Sequence, residues 1–315
     1  DISSSFFIIQ FFQLIISGVS QGCLYGLIAL GFVLIYKATE MVNFAQGDLM
    51  MLGAYFAITF VTVLEWPFFW AVLATILCMA LVGAVLERLL LRPMIGEPHF
   101  AVLMLTIGLG FVIRAVAGAI WGSEPKALPV PYSGGVIKLG DSVIGFENVA
   151  VVIGTVILCL LVWIFFRFTR IGIAMQAASQ NQLAAFYVGI PVKRIYSLVW
   201  AISAGIAGLA GVLTAPVSLV DPLIGFVGIK AFAAAIVGGI GNPFGAFLGG
   251  YVIAFSEILL TYAYRKFFMY VLPESMEPDG LVQLLSTDYK FAVSFSILVI
   301  VLLYRPSGIF KGKVL

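Results

Sequence analysis

Apolar runs long enough to cross a lipid bilayer follow one another along almost the whole chain, and no other feature narrows its fold as much. A spanning helix needs about 20 consecutive apolar residues. Runs near that length lie at 7–36, 42–64, 68–91, 100–121, 147–167, 194–215, 244–264 and 288–304, with a shorter, glycine-rich one at 225–240. In hydrocarbon every backbone N–H and C=O must be paired inside the protein, which leaves helices or a closed barrel. The runs are continuous and do not alternate with a period of two, so helices are selected. Only 10% of the 315 residues are charged and 62% are hydrophobic, against about 25% charged in a soluble domain. A mean hydropathy of +1.14 is too high for a single core surrounded by water. The expected fold is an all-α polytopic membrane protein with about eight to ten transmembrane helices, the 225–240 run being a half-helix or a re-entrant segment.

Orientation follows from Lys and Arg in short loops. Arg88 and Arg92 flank the 92–99 turn, Arg167, Arg170, Lys193 and Arg194 bracket the 168–193 loop, and Arg305, Lys311 and Lys313 decorate the tail. Placing these on the cytoplasmic side gives nine spans, an external N-terminus and an internal C-terminus; Arg265 and Lys266 then sit on the wrong side of the rule. The opening DISSSFF lacks the basic stretch of a signal peptide, so the first run is expected to be a retained helix. The chain reads as one membrane domain, 1–315, with halves of roughly 1–121 and 147–315 separated by the 122–146 loop. A net charge of +2 gives no basis for a nucleic-acid partner. Cys23, Cys78 and Cys159 each stand alone in an apolar run, and His99 is the one histidine, so the cysteines read as packing residues and not as metal ligands.

Each half carries one apolar segment interrupted by polar or glycine residues: NFAQGD at 43–48 and GGIGNPFG at 238–245. Irregular backbone at membrane depth is tolerated only against protein or a water-filled cavity, so paired interruptions point to a transport path. Asn43, Gln46 and Gly47 share a helical face at i, i+3 and i+4. The glycines Gly238, Gly239 and Gly241 mark the second interruption. The competing reading is an interfacial first turn in which Asp48 is favoured by the helix dipole. Small residues at Ala201, Ala204, Gly205, Gly208 and Gly211, and again at Gly241, Gly245 and Gly249, form ridges for close helix packing.

The 169–193 loop holds a small-residue helix, roughly Met175 to Val188, closed by Gly189 and Pro191. With Ala177, Ala178, Ala184 and Ala185 outward, such a helix fits a groove on a partner; an ordinary surface helix fits the composition slightly better. Glu87, Arg114, Lys230 and Glu257 are ionisable groups inside apolar runs and therefore candidates for function. Glu87 reads as an anchor at the membrane rim, Arg114 and Glu257 as a pair across helices, and Asp221 and Lys230 as flanking the external end of the short run. No GxxxxGK[ST] string occurs, so the chain has no nucleotide-hydrolysing loop of that type.

Three blocks carry a family resemblance: GLIALGFVLIYKATEMVNFAQGDLMMLGAYFA (26–57), GIPVKRIYSLVWAISAGIAGLAGVLTAP (189–216) and KAFAAAIVGGIGNPFGAFLGG (230–250). Together they resemble permeases of branched-chain amino acid ABC importers over essentially the whole chain, and the H-type subunit more than the M-type. The resemblance implies a non-catalytic subunit without a cofactor of its own in a bacterial inner membrane. It implies a second homologous permease, two cytosolic ATP-binding subunits that carry ATP and Mg, and a periplasmic substrate-binding protein. Substrate passes along the interface of the two permeases, with Asn43, Gln46, Gly238, Gly239 and Gly241 as the expected lining. The 169–193 segment corresponds to the coupling loop, with Gln176, Ala177, Ala178, Asn181, Ala184, Ala185 and Gly189 as the expected ATPase contacts. Its helix reads MQAASQNQ, with less charge than family members often carry there. Related permeases move urea, short amides or aromatic carboxylates, so cargo stays open. A standalone ion-coupled transporter is a further alternative, and a membrane enzyme has no support in the residues.

Overall fold

The computed structural model describes residues 2–139, 142–262, 264 and 282–310. Expectations about Arg265, Lys266, Lys311 and Lys313 lie outside the described residues. The helices are α1 (Ile2–Thr39), α2 (Gln46–Ile58), α3 (Phe68–Leu86), α4 (His99–Trp121), α5 (Phe146–Phe168), α6 (Arg170–Gln180), α7 (Gln182–Tyr187), α8 (Val192–Thr214), α9 (Val227–Gly238), α10 (Pro243–Thr261) and α11 (Lys290–Tyr304). A short antiparallel hairpin, β1 (Val136–Leu139) and β2 (Ser142–Gly145), lies in the loop before α5. Among the described residues 8 helices are long and apolar enough to cross a membrane, and Ile224–Gly238 is a shorter apolar helix. The chain is thus a multi-pass, all-α membrane protein, and the glycine-rich run at 225–240 is its half-length helix.

The core is built on α1. In its candidate span, Ile9–Thr39, 89% of the most apolar window is buried within the protein, against 11% for α5 and 17% for the last span. A helix apolar on every face belongs either in a protein core or in lipid; α1 takes the first place, while α5 and α11 leave most of their apolar surface outside the bundle. Small residues allow the close approach that α1 needs. Gly18, Gly22 and Gly26, spaced four apart, lie against Phe255, Tyr251 and Phe247 of α10. The reversed order of the partners makes the two helices antiparallel. On α8, Gly208 meets Gly53 of α2 and Met79 of α3, and Gly211 meets Met50 and Ala54. Gly245 and Gly249 pack on Gly238 and Ala234 of α9. Gly241 does not share that ridge as expected: it sits at φ +99° in the turn before α10, where Pro243 begins the helix.

Among the described residues, one end of the bundle collects most of the basic loops. Arg92 reaches the Lys193 carbonyl and the Ser197 hydroxyl, Lys37 and Gln176 border one cavity, and Ile309 closes onto Val237 after Arg305. At the other end Lys126 pairs through its backbone with Val220, which ties the 122–135 segment to the chain entering α9.

Candidate functional site

The first interruption is a break between α1 and α2, over residues 40–45, and it lies inside the bundle. Asn43 and Gln46 are fully buried. The Asn43 side chain accepts from the Ala45 N–H and donates to Gln46 Oε1 at 3.3 Å. Gln46 Nε2 donates to the Ser203 carbonyl, and the Ser203 hydroxyl donates to the Gly31 carbonyl at 3.0 Å. This small network fastens α1, α2 and α8 at the point where α1 stops and α2 has not begun. Buried amides of this kind are tolerated because their donors and acceptors are used within the protein.

One turn further on, Asp48 and Arg114 form a fork of two hydrogen bonds, Nε to Oδ1 at 2.6 Å and Nη2 to Oδ2 at 3.1 Å. The Asp48 side chain is 1% exposed and that of Arg114 15%. The guanidinium lies over the Phe226 ring, 3.8 Å from its centroid. Its Nη1 is buried with no hydrogen-bond partner among the described residues. Gly47 backs directly onto Gly225 and Gly228 at the start of the half-length helix, so that a methyl group on Gly47 would overlap the Gly225 carbonyl. Two irregular segments, one from each half, therefore touch through bare backbone, with an ion pair at their side.

The pairing of charges differs from the one expected. Arg114 reaches Asp48, and Glu257 takes Lys230 at 3.2 Å. The cause is helix adjacency: α4 packs on α2, while α10 packs on α9 and α1. Lys230 is accordingly buried, not an external flanking residue, and its ammonium lies 4.4 Å from the Phe291 ring centroid. Tyr25 donates to Glu257 at 2.8 Å and the Ser294 hydroxyl also donates to it. Asp221 caps its own turn, accepting from the Leu223 and Ile224 N–H groups. Glu87 is an anchor at one end of the bundle, paired with Arg92 at 3.0 Å and bonded to the Ser197 hydroxyl.

The second interruption is placed elsewhere. Gly238 and Gly239 end α9 and Gly241 lies in the following turn, against Gly245, Gly308 and the Ile309–Phe310 backbone. The structure brings Asn43 and Gln46 together with each other, and it does not bring them to Gly238, Gly239 or Gly241. The residues that do meet the first interruption, Gly225, Phe226 and Gly228, precede the GGIGNPFG string. Their signal in the sequence is the glycine pair at 225 and 228 opening a short apolar run.

The loop after α5 forms two helices, not one. Asn181 is extended (φ −154°, ψ 102°), and its side chain caps α7 by accepting from the Ala184 N–H at 2.9 Å. Gln176, Ala177, Asn181, Ala184 and Gly189 are exposed, the last at φ +84° where glycine is favoured. Ala178 and Ala185 are buried, contrary to the outward placement expected of all four alanines, because they form the inner face on which α6 and α7 rest. The outward face carries large apolar side chains instead: Leu183 (71% exposed), Phe186, Tyr187 and Val188. Leu183, Phe186 and Tyr187 fall at i, i+3 and i+4, which is the readable sign of one helical face. Beneath α6, a cavity of about 370 Å³ is lined by Leu34, Cys159, Val162, Met175 and Phe247 among others.

The string Gly18-Val19-Ser20-Gln21-Gly22 fits the hydrolase pattern GxSxG by letter. That pattern needs a strand-to-helix elbow, whereas here it lies within α1 with both glycines against α10 and Ser20 buried. No group of three or more metal-ligating side chains occurs among the described residues.

The family model for branched-chain amino acid transport system permease components matches residues 14–302. The chain is 31% identical to the high-affinity branched-chain amino acid transport system permease protein LivH of Salmonella typhimurium, over 96% of both chains. It is 29% identical to the corresponding protein BraD of Pseudomonas aeruginosa, again over 96% of both. It is 30% identical to a probable branched-chain amino acid transport permease of Methanocaldococcus jannaschii, over 90% of this chain and 87% of that one. No solved structure matches. The chain belongs to the branched-chain amino acid transport permease family.

Proposed function

We propose that this chain is a translocating permease subunit of an ATP-driven importer for branched-chain amino acids. The observation that carries the reading is the bare-backbone contact of Gly47 with Gly225 and Gly228, flanked by the Asn43–Gln46 network and the Asp48–Arg114 fork. Broken helices meeting inside a bundle are the usual setting of a transport path. In the described state Asn43 and Gln46 face each other and Ser203, so the path is closed there. Movement of α2 away from α1, α8 and α9 opens this junction and frees both amides for a passing zwitterion, while the surrounding apolar walls accept its side chain.

The force for that movement comes from outside the chain. The end holding Arg92, Lys193 and α6–α7 is cytoplasmic in this reading, as the excess of Lys and Arg favours. Two cytosolic subunits binding ATP and Mg close on nucleotide and push on α7, whose Leu183, Phe186, Tyr187 and Val188 offer an apolar docking surface. Ala177, Ala184, Asn181, Gln176 and Gly189 complete that surface. A second homologous permease supplies the other wall of the path, and a periplasmic binding protein delivers cargo at the Lys126–Val220 end. The chain itself performs no catalysis.

Uptake of radiolabelled leucine into vesicles holding all partner subunits tests the reading. It predicts uptake that requires ATP, is competed by valine and is untouched by benzoate or urea. Competition by benzoate or urea but not valine assigns another cargo. Uptake driven by an ion gradient without ATP overturns the class.

A further inference from the structure

Below the first interruption lies a second cavity, of about 310 Å³, bordered by Tyr36 and Glu40 at the end of α1, Val42 in the break, and His99, Val102 and Leu103 at the start of α4. Its volume is in the range of small-molecule sites. Its lining is divided in a particular way. One wall is apolar and branched: Val42, Val102 and Leu103. The rim carries two exposed groups of complementary chemistry, the Glu40 carboxylate and the His99 imidazole, which opens α4 at its positive end.

Glu40 is held there at a conformational cost. Its φ is +57°, in the left-handed region that favours glycine. Such strain persists only where neighbours over-determine it. Here the Glu40 N–H donates to the Tyr36 carbonyl at 2.7 Å, and the Met41 N–H to the Thr39 hydroxyl at 3.3 Å. Thr106 of α4 then holds the following residues, its hydroxyl accepting from the Phe44 N–H at 3.2 Å. The turn is fastened on both sides, and its result is a carboxylate at the mouth of an apolar cavity, two residues before Val42 and three before Asn43.

We propose that this cavity binds a small amino acid with a branched apolar side chain, its ammonium group on Glu40, its carboxylate on His99 and its side chain against Val42, Val102 and Leu103. The site rests on the importer reading for its cargo class and goes beyond it in naming a way station outside the Asn43–Gln46 network. It accounts for why a polar break opens onto a pocket bearing one acid and one base rather than a uniformly apolar cleft.

Saturation-transfer NMR of leucine with the purified chain in nanodiscs tests it directly. Saturation of the leucine methyl groups is expected, displaceable by valine. Isoamylamine, lacking the carboxylate, and 4-methylpentanoate, lacking the ammonium, displace leucine about tenfold less well, each having lost a charge-assisted bond. Glu40→Gln removes the advantage of leucine over 4-methylpentanoate, and His99→Gln removes its advantage over isoamylamine. Val102→Trp, which fills the cavity, abolishes the signal while Tm shows the fold retained. No displaceable leucine signal, or full binding in both Glu40→Gln and His99→Gln, overturns the site. Leucine import by the assembled transporter alongside undiminished binding in both variants defeats this site and leaves the importer reading intact. Binding that obeys the pattern in a transporter that imports no amino acid does the reverse.

Discussion

At the scale of single residues, the buried charges decide most. An unpaired charge inside a membrane bundle is far more costly than a paired one, so removing one partner of a buried pair costs about 3–5 kcal/mol. Asp48→Asn or Arg114→Gln alone should each lower stability by about that amount, whereas the double change should cost less than the sum. Thermal unfolding in detergent across the four-member cycle measures it; strict additivity of the two losses contradicts the pairing. Gly47→Val is a sharper steric probe. Its side chain has only the Gly225 carbonyl and the Gly228 backbone to meet, and a loss of about 1–3 kcal/mol is expected from overpacking. Sequence alone identified Arg114 and Glu257 as buried and expensive. It paired them with each other because nothing in a linear sequence says that α4 lies on α2 and α10 on α9. Asp48 carried the signal of its own role, an acid within an apolar run, and the helix-dipole reading accounted for it without a partner.

At the scale of elements, the loop after α5 shows how a cap edits a helix. Composition gave one helix over about 175–188; Asn181 splits it, because its side chain bonds the Ala184 N–H better than it continues a turn. Asn181→Ala should cost about 1 kcal/mol and fray α7, raising amide exchange at residues 184–188 while exchange in α8 stays unchanged. Unaltered exchange in α7 sinks the capping account. The split also turns Ala185 inward and Phe186 and Tyr187 outward. The exposed apolar face of α7 is therefore not legible from small residues followed through one continuous helix. The Gly18–Gly22–Gly26 ridge is legible as a spacing of four, yet its partner on α10 is not, since close packing of two helices leaves a readable mark only on the small side.

At the scale of the whole molecule, hydropathy sufficed for a range of eight to ten helices and for the shortness of the 225–240 run, because lipid imposes length and apolarity on every span independently of neighbours; that this run is a half-length helix beside eight long ones comes from the structure. The same constraint explains what was not legible. A chain that is apolar nearly throughout contains little contrast between the faces of one helix, so which side of each span is buried is not legible, although the buried α1 is less apolar than the exposed α5, with mean hydropathy 1.8 against 3.0. The three sequence blocks, 26–57, 189–216 and 230–250, cover much of α1, α2, α8, α9 and α10, which pack on one another, but they omit Gly225, Gly228 and Arg114, which meet α2 at the first interruption.

The proposed import mechanism requires α7 to pass the work of ATP hydrolysis to the junction of α2 and α9. It is tested most directly by Phe186→Asp in the fully assembled transporter, with leucine uptake and ATP hydrolysis measured on the same vesicles. Placing a charge on the apolar docking face is expected to cut uptake about tenfold or more, with unchanged Tm and with hydrolysis no longer stimulated by loaded binding protein. Undiminished, stimulated uptake in that variant contradicts the account.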